Sequence, residues 1–500
     1  MTIPATVDVI IVGSGAGGAA AAYRLALAGR SVLVLEKGDR LPRDGSTLDI
    51  KRVVHDGEYL SREPWVDRTG GTLVPEEHFN VGGKTRWYGA AVLRFGRHEF
   101  QAESSYGASA WPIEYDDLQP YYDEAERLLG VRTIAAEPAL AAILGKIERR
   151  SGGWRAAPLP MALSPAIESN RREGAHFDGF ASVAGLKADA DNAMLERVAR
   201  LPNLRIVTGA EVAELLADGP AGTRVSGVRL ADGRTFHAHA TLLAAGALHS
   251  PRLLQRFIHR QGLGSRLPAA AAVGRRLKLH LLTALVAVSP GKKADLIRKT
   301  TLLTNDQYPH SSVQPLGFDG ELIGTLVPKV VPRAIARLVG ERAYGFFLQT
   351  EDGSDAANRV FEILTPRGVE RVFDYDATRL PAAAREHERF VRGFQRALLA
   401  AGMLSFTQRI PLSGTAHVCG TLPAGSDPST SVVDGDGRVH GLESLYVVDG
   451  SVLPRSSRVN PSLTIFAWSL RVAARLVSSL ALKSAARGFA RIAETEGAIP

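Results

Sequence analysis

The sequence predicts an α/β protein in which a Rossmann-like, doubly wound domain is assembled from discontinuous segments, with an α+β domain containing an antiparallel sheet inserted between them. Three observations carry this. The chain opens on an apolar strand, a glycine turn, a helical run and a second apolar strand. A similar buried strand and helix return near the C-terminus. Between them, residues 285–405 hold short alternating apolar segments of the kind that form antiparallel strands.

The first strand runs from Val7 to Val12 in VDVIIVGSGAGG and breaks at Gly13, Gly15 and Gly18. An alanine-rich helix, AAAAYRLALAG, follows and ends at Gly29, and SVLVLEKG from Ser31 supplies the next buried strand. Each residue type has a reason. Gly13 permits the tight turn, Gly15 lets a pyrophosphate approach the backbone, and Gly18 lets helix pack on strand. Glu36 lies 21 positions after Gly15, where a carboxylate can accept from both ribose hydroxyls. In this context the glycines predict dinucleotide binding.

A second glycine-rich segment, NVGGKTRWYGAA, reads alone as a bridging loop. WPIEYDDLQPYYDEAERLLGV becomes a helix with Tyr121, Ala125, Leu128 and Leu129 on one face, part of a lid or connector over about 75–130. From Asn203, short strands and a hairpin at Asp232-Gly233 close on the buried strand ATLLAAGA. Helix SPRLLQRF then starts with Ser250 as expected N-cap and Pro251 in the first position. GFFLQT, RVFEIL and ERVFDY are expected strands of the inserted domain, followed by the helix REHERFVRGFQRALLAAG. Finally, LESLYVVDGSVLP is a strand running into Asp449 and Gly450, and NPSLTIFAWSLRVAARLV a helix with Leu463, Phe466, Ala467 and Leu470 on its apolar face. The expected division is 1–284 with 406–482 as the dinucleotide-binding domain, 285–405 as the substrate-binding domain, and 483–500 as a basic tail.

Composition excludes other classes. Hydrophobic residues at 45% and charged residues at 22% exclude disordered and fibrous chains, while 50 glycines in 500 residues call for turns and close backbone approaches. Net charge is +8, from 60 basic and 52 acidic residues, but no exposed aromatics interleave with the basic runs and no helix-turn-helix is visible, so no nucleic-acid partner is expected. The single cysteine, Cys419, can form neither an internal disulfide nor a cysteine cage, and no metal site is expected. The N-terminal apolar run ends after six residues without a basic leader, and LLTALVAVS from Leu281 is half a membrane thick. No membrane span and a cytoplasmic location are therefore expected.

Taken in order, VGSGAGG with Glu36, NVGGKTRWYGAA, WPIEYDDLQPYYDEAE, LLAAGALHSPRLL, VGRRLKLH, AHVCGT and DPSTSVVDGDGRVHGLESLYVVDGSVLPRSSRVNPSLTI resemble the glucose-methanol-choline (GMC) family of flavin oxidoreductases. The resemblance implies an FAD-binding domain in which Gly13, Ser14, Gly15, Ala16, Gly18, Glu36 and Lys37 hold the dinucleotide. It places Gly82, Gly83 and Thr85 beside the flavin, Val212 at the adenine end, and Asp449 and Gly450 by the ribityl chain, with Pro461 also binding the cofactor. It also implies that His417 is the general base and Asn460 orients the hydroxyl during hydride transfer to flavin N5. Histidine suits removal of a hydroxyl proton near neutral pH, and asparagine suits positioning.

The implied substrate is a small alcohol, leaning to a sugar, glycoside or polyol. The implied electron acceptor is oxygen, a quinone or an electron-transfer partner. Some family members bind FAD covalently through a histidine just before the tryptophan of the second glycine segment; here Arg86 precedes Trp87, implying non-covalent FAD. Leu422 and Pro423 replace the aromatic or Arg-Met sequence common after the histidine motif. His280 and His440 read as satisfied structural histidines and Cys419 as inert packing. The alternative is a non-redox or photochemical member of the lyase or fatty-acid decarboxylase type, which a long apolar tunnel would favour.

Overall fold

The computed structural model describes residues 6–219, 221–325, 332–366, 368–414 and 417–496, with 481–496 as helix backbone. Strand Thr6–Val12 lies between Val32–Leu35 and Thr235–Leu243, parallel to both. Leu204–Val207 extends the sheet beyond Val32–Leu35, and Leu445–Val447 pairs with Thr241 to Leu243. The parallel strands thus come from the beginning, middle and end of the chain. Val9, Ile10, Ile11 and Val34 are fully buried, the burial on both faces that a parallel sheet requires. Arg224–Leu230 and Val212–Asp218 complete the seven-stranded sheet in antiparallel fashion.

Helix Ala16–Leu27 packs on this sheet through Ala19 to Ala22, whose small side chains admit the long helix Ser462–Glu496 close against it. Segment Ser462–Leu480 is long and apolar enough to cross a membrane, yet Leu463, Phe466, Ala467, Trp468 and Leu470 all sit inside the core. Of the expected tail, 483–496 continues this helix and 497–500 lies outside the described residues.

A second, six-stranded sheet is antiparallel throughout, in the order Leu404–Arg409, His280–Val288, Ala343–Glu351, Ser311–Pro315, Thr301–Asn305, Trp154–Pro158. Helices Pro381–Ala400 and Pro138–Arg150 bury Phe390, Phe394, Leu140 and Ile147 on it. Three of its strands cross the division expected from the sequence: Trp154–Pro158 comes from within 1–284, His280–Val288 straddles 284/285, and Leu404–Arg409 straddles 405/406. Of the three segments expected in one sheet, only GFFLQT is here. RVFEIL and ERVFDY form the hairpin Arg359–Thr365 with Gly368–Asp374, which joins Trp65–Asp67 and Thr72–Leu73 in a separate four-stranded sheet. The alternating pattern marks a strand but carries no information on its partner.

Two local expectations shift. In helix Tyr115–Leu129 the fully buried tyrosine is Tyr122, with Leu118, Ala125, Leu128 and Leu129, while Tyr121 is half-buried. Ser250 is the first residue of helix Ser250–Arg260 and not its cap; its hydroxyl donates to Asp449 and accepts from the Ala245 amide at 3.1 Å.

Candidate active site

A cavity of about 660 Å³ opens at the carboxyl ends of the parallel strands and extends to the antiparallel sheet. Ligands of doubly wound sheets bind in this crevice because strand ends and helix starts present free backbone groups there. Its wall includes Gly13, Ser14, Gly15, Ala16, Glu36, Lys37, Gly83, Thr85, Val212, Asp449, Gly450, Pro461, His417 and Asn460. The other two expected residues stand behind it: Gly18 lies against the Gly13 carbonyl, and the Gly82 amide donates to Ser14 Oγ at 3.1 Å.

The glycine turn is shaped by close contact. Gly13 takes φ +100° under the Ala244 carbonyl, and a methyl group on Gly17 would collide with the Val448 carbonyl. Gly15, by contrast, faces open space. Helix Ala16–Leu27 begins there with no side-chain cap, and its first residues line the cavity, so its amides and positive dipole end suit a diphosphate. Glu36 accepts from the Ser14 amide at 3.0 Å and hydroxyl at 2.6 Å on one oxygen and from the Gly38 amide at 3.0 Å on the other. The oxygen that faces Gly38 keeps lone-pair capacity for a ribose, while the other is filled by Ser14. Burial raises its pKa against these hydrogen bonds. Ser462 Oγ, also on the wall, is buried with no partner among the described residues. An uncapped helix start, an open glycine and an orphaned hydroxyl along one elongated cavity fit FAD.

Several expected contacts are restricted by the fold. The Thr85 hydroxyl is consumed, donating to the Gly82 carbonyl at 2.6 Å and accepting from the Ala190 amide at 2.9 Å. Asp449 accepts from the Gly246 and Ser451 amides, each at 2.9 Å, so its carboxylate ties its own turn to the one at Gly246 beside the cavity. Lys37 pairs with Glu63 and with Glu211 at 3.0 Å. Leu422 and Pro423 are buried away from the cavity wall.

At the other end, Asn460 sits just before helix Ser462–Glu496, and His417 follows the loop after strand Leu404–Arg409. Asn460 Nδ2 lies 3.5 Å from His417 Nε2, and Gln314 Nε2 donates to Asn460 Oδ1 at 2.6 Å. His417 Nδ1 is 2.7 Å from His280 Nδ1. Burial, His280, Lys299 and Lys84 together hold the His417 pKa well below the ordinary 6.5, so the imidazole is neutral at neutral pH. His440 is bonded to the Gly425 carbonyl at 3.0 Å and Ser431 Oγ at 3.1 Å. Burial pushes the Cys419 thiol up to about 12, which leaves it protonated packing.

The sequence passed over Gly17, although its adjacency to Gly18 was a visible signal. It also passed over Gln314 and the Lys299–Asp178 pair, 2.8 Å apart on the wall. Those arrive on strands and loops whose pairing is non-local, and no motif marks them. His280 was read as purely structural; its position against His417 depends on the start of strand His280–Val288.

A cofactor cavity that ends on a neutral histidine and an oriented amide is the layout of an oxidoreductase working on a bound dinucleotide. Profiles of the GMC oxidoreductase N- and C-terminal regions match residues 8–282 and 366–469. The chain is 30% identical to 6'''-hydroxyparomomycin C oxidase of Streptomyces lividus over 96% of its length and 93% of that protein. It is likewise 30% identical to paromamine 6'-oxidase of Streptomyces fradiae, over 95% and 92%. Among solved structures, pyridoxine 4-oxidase from Mesorbium loti superposes with a TM-score of 0.67 at 19% identity, covering 94% of this chain and 99% of that one. The chain therefore belongs to the GMC oxidoreductases, and is an FAD-dependent oxidoreductase acting on CH-OH groups.

Proposed function

We propose that the enzyme oxidises a hydroxyl group of a sugar, glycoside or polyol to a carbonyl, with amino sugars the best substrates. His417 acts as general base and Asn460 holds the reacting oxygen. The observation that carries this reading is the His417 Nε2 and Asn460 Nδ2 pair, 3.5 Å apart on the cavity wall. A hydroxyl oxygen placed between them can give its proton to Nε2 while accepting from the amide N–H. Proton removal raises electron density on the carbinol carbon, which favours hydride loss. Bound FAD supplies the two-electron oxidant.

The amino-sugar preference rests on the two relatives named for aminoglycoside oxidation and on the wall itself. Glu76, whose carboxyl takes no hydrogen bond among the described residues, lines the cavity and can receive an ammonium group, whereas Asp178 on the same wall is already paired with Lys299. The six-stranded sheet and its adjoining loops contribute Lys299 and Gln314 beside the apolar Leu316, Phe318 and Phe347, and alcohol oxidation over a fatty-acid reaction is supported by the relatives named as oxidases of such compounds. Non-covalent FAD is supported by Arg86, which is buried and paired with Asp189 at 3.1 Å.

Anaerobic mixing of the yellow protein with simple alcohols, polyols, neutral sugars and amino sugars tests the reading. Bleaching of the flavin band, fastest with amino sugars, is expected, and acid precipitation of the same sample should leave all flavin in the supernatant. No bleaching by any alcohol overturns it.

The pH dependence follows from the His417 environment. Cationic Lys84 and Lys299, the neighbouring His280 and burial all oppose protonation, so the base form persists on lowering the pH through the ordinary histidine range. The rate constant for flavin reduction at saturating substrate should stay level from about pH 8.5 to about 6.5 and fall only in more acid solution. An acid limb with its midpoint at or above 6.5 would contradict this assignment.

A further inference from the structure

We propose that His280 is a positioning residue that sets the tautomer of His417 and so leaves Nε2 bare toward the cavity. This rests on the base assignment above for its catalytic meaning, but the geometry stands apart from it. His280 is the first residue of strand His280–Val288, and it is buried. Its Nε2 is 3.1 Å from the Ser456 carbonyl and 2.8 Å from the Ser457 carbonyl. Carbonyl oxygens only accept, so this nitrogen carries the hydrogen, and in a neutral imidazole the other nitrogen is then an acceptor.

That acceptor, His280 Nδ1, faces His417 Nδ1 at 2.7 Å, with the rings nearly perpendicular at 89°. Two N–H groups cannot oppose each other at this distance. The hydrogen between them therefore belongs to His417 Nδ1, and His417 Nε2 is left with its lone pair. The far side of the ring agrees. With Asn460 Oδ1 taken by Gln314, the amide N–H is the group that meets His417 Nε2, a donor facing an acceptor.

The two carbonyls that start this chain are themselves held in place. Ser457 adopts φ +67°, unusual for a residue with a side chain, and its hydroxyl donates to Glu99 at 2.6 Å while accepting from the Val459 amide at 3.2 Å. Ser456 Oγ accepts from the Asp352 amide at 3.0 Å and donates to the Asp352 carbonyl at 3.2 Å. An imidazole left alone can carry its proton on either nitrogen, and the wrong choice would turn the base into a donor.

The test uses holoenzyme labelled with ¹⁵N-histidine, with His417 assigned by difference against His417→Ala. A protonated, pyrrole-like Nδ1 and a bare, pyridine-like Nε2 are expected for His417; the reverse pattern overturns the proposal whether or not His417 is the base. His280→Gln, which can still accept and donate, should keep the pattern and most of the rate. His280→Leu should lose the single-tautomer signature and slow flavin reduction by about 10² with substrate affinity unchanged, less than the about 10⁴ that a fully wrong tautomer costs a histidine base. A folded His280→Leu enzyme with the parental signature and rate would also overturn it. A His417→Ala enzyme of undiminished rate would instead reject the base assignment and leave the tautomer measurement intact.

Discussion

His417→Ala should keep its flavin yet reduce it about 10² to 10⁴ times more slowly, the range for losing a positioned general base. The side chain is half-buried, and its two polar contacts are to other side chains, His280 and Asn460, so truncation leaves the cofactor cradle and the backbone untouched. Anaerobic stopped-flow reduction at saturating substrate isolates the step from reoxidation. The substrate dissociation constant should change little, because the lost interaction is with a proton in transit and not with the resting hydroxyl. Equal rate constants in variant and parent would reject the base assignment. The variant should not be rescued by raising the pH within the neutral range, since no neighbouring group on the wall replaces Nε2.

The second large effect separates cofactor binding from folding within one turn. Gly15 has φ −67°, which any residue can adopt, and nothing lies within 4 Å of where its Cβ would stand. Gly15→Leu should therefore fold, with its side chain filling the cavity where the helix Ala16–Leu27 begins. Flavin content should fall at least tenfold while far-ultraviolet circular dichroism and melting remain close to those of apoprotein. Gly17→Val is the contrast. Its side chain meets the Val448 backbone, which cannot rotate away, so this variant should lose about 1–3 kcal/mol or more of stability and melt early. A yellow Gly15→Leu protein with one flavin per chain would show that the turn does not hold the diphosphate.

The glycine turn was legible because its meaning is local. Gly13, Gly15 and Glu36 lie within one strand–helix–strand unit, so spacing alone brings them together, and the same holds for Asp449-Gly450 at the end of a buried strand. The helix Ser462–Glu496 was legible at its start for a similar reason: Leu463, Phe466, Ala467 and Leu470 repeat at helical spacing and are all buried. The antiparallel part was legible only as strands. RVFEIL and GFFLQT have the same alternation, but one joins Trp65–Asp67 through its hairpin partner and the other lies beside His280–Val288. Loop entropy and side-chain packing across hundreds of residues make that choice, and neither leaves a trace in a short window.

Function divides along the same line. The sequence by itself determined that this chain builds a dinucleotide crevice from its beginning, middle and end and carries the ordered motifs of a GMC oxidoreductase, because backbone requirements for turns and buried strands are written in residue type. It could also nominate His417 and Asn460, as a histidine and a helix-leading asparagine within those motifs. Only the tertiary structure decided what surrounds them. It set Gln314 on the Asn460 carbonyl oxygen and drew Lys299 and Asp178 into the wall. It also turned His280 from a satisfied core histidine into one whose free nitrogen meets His417. The physical reason is that protonation and amide orientation depend on hydrogen-bond partners a few ångströms away in space, and here those partners are 137 and 146 positions away in the chain.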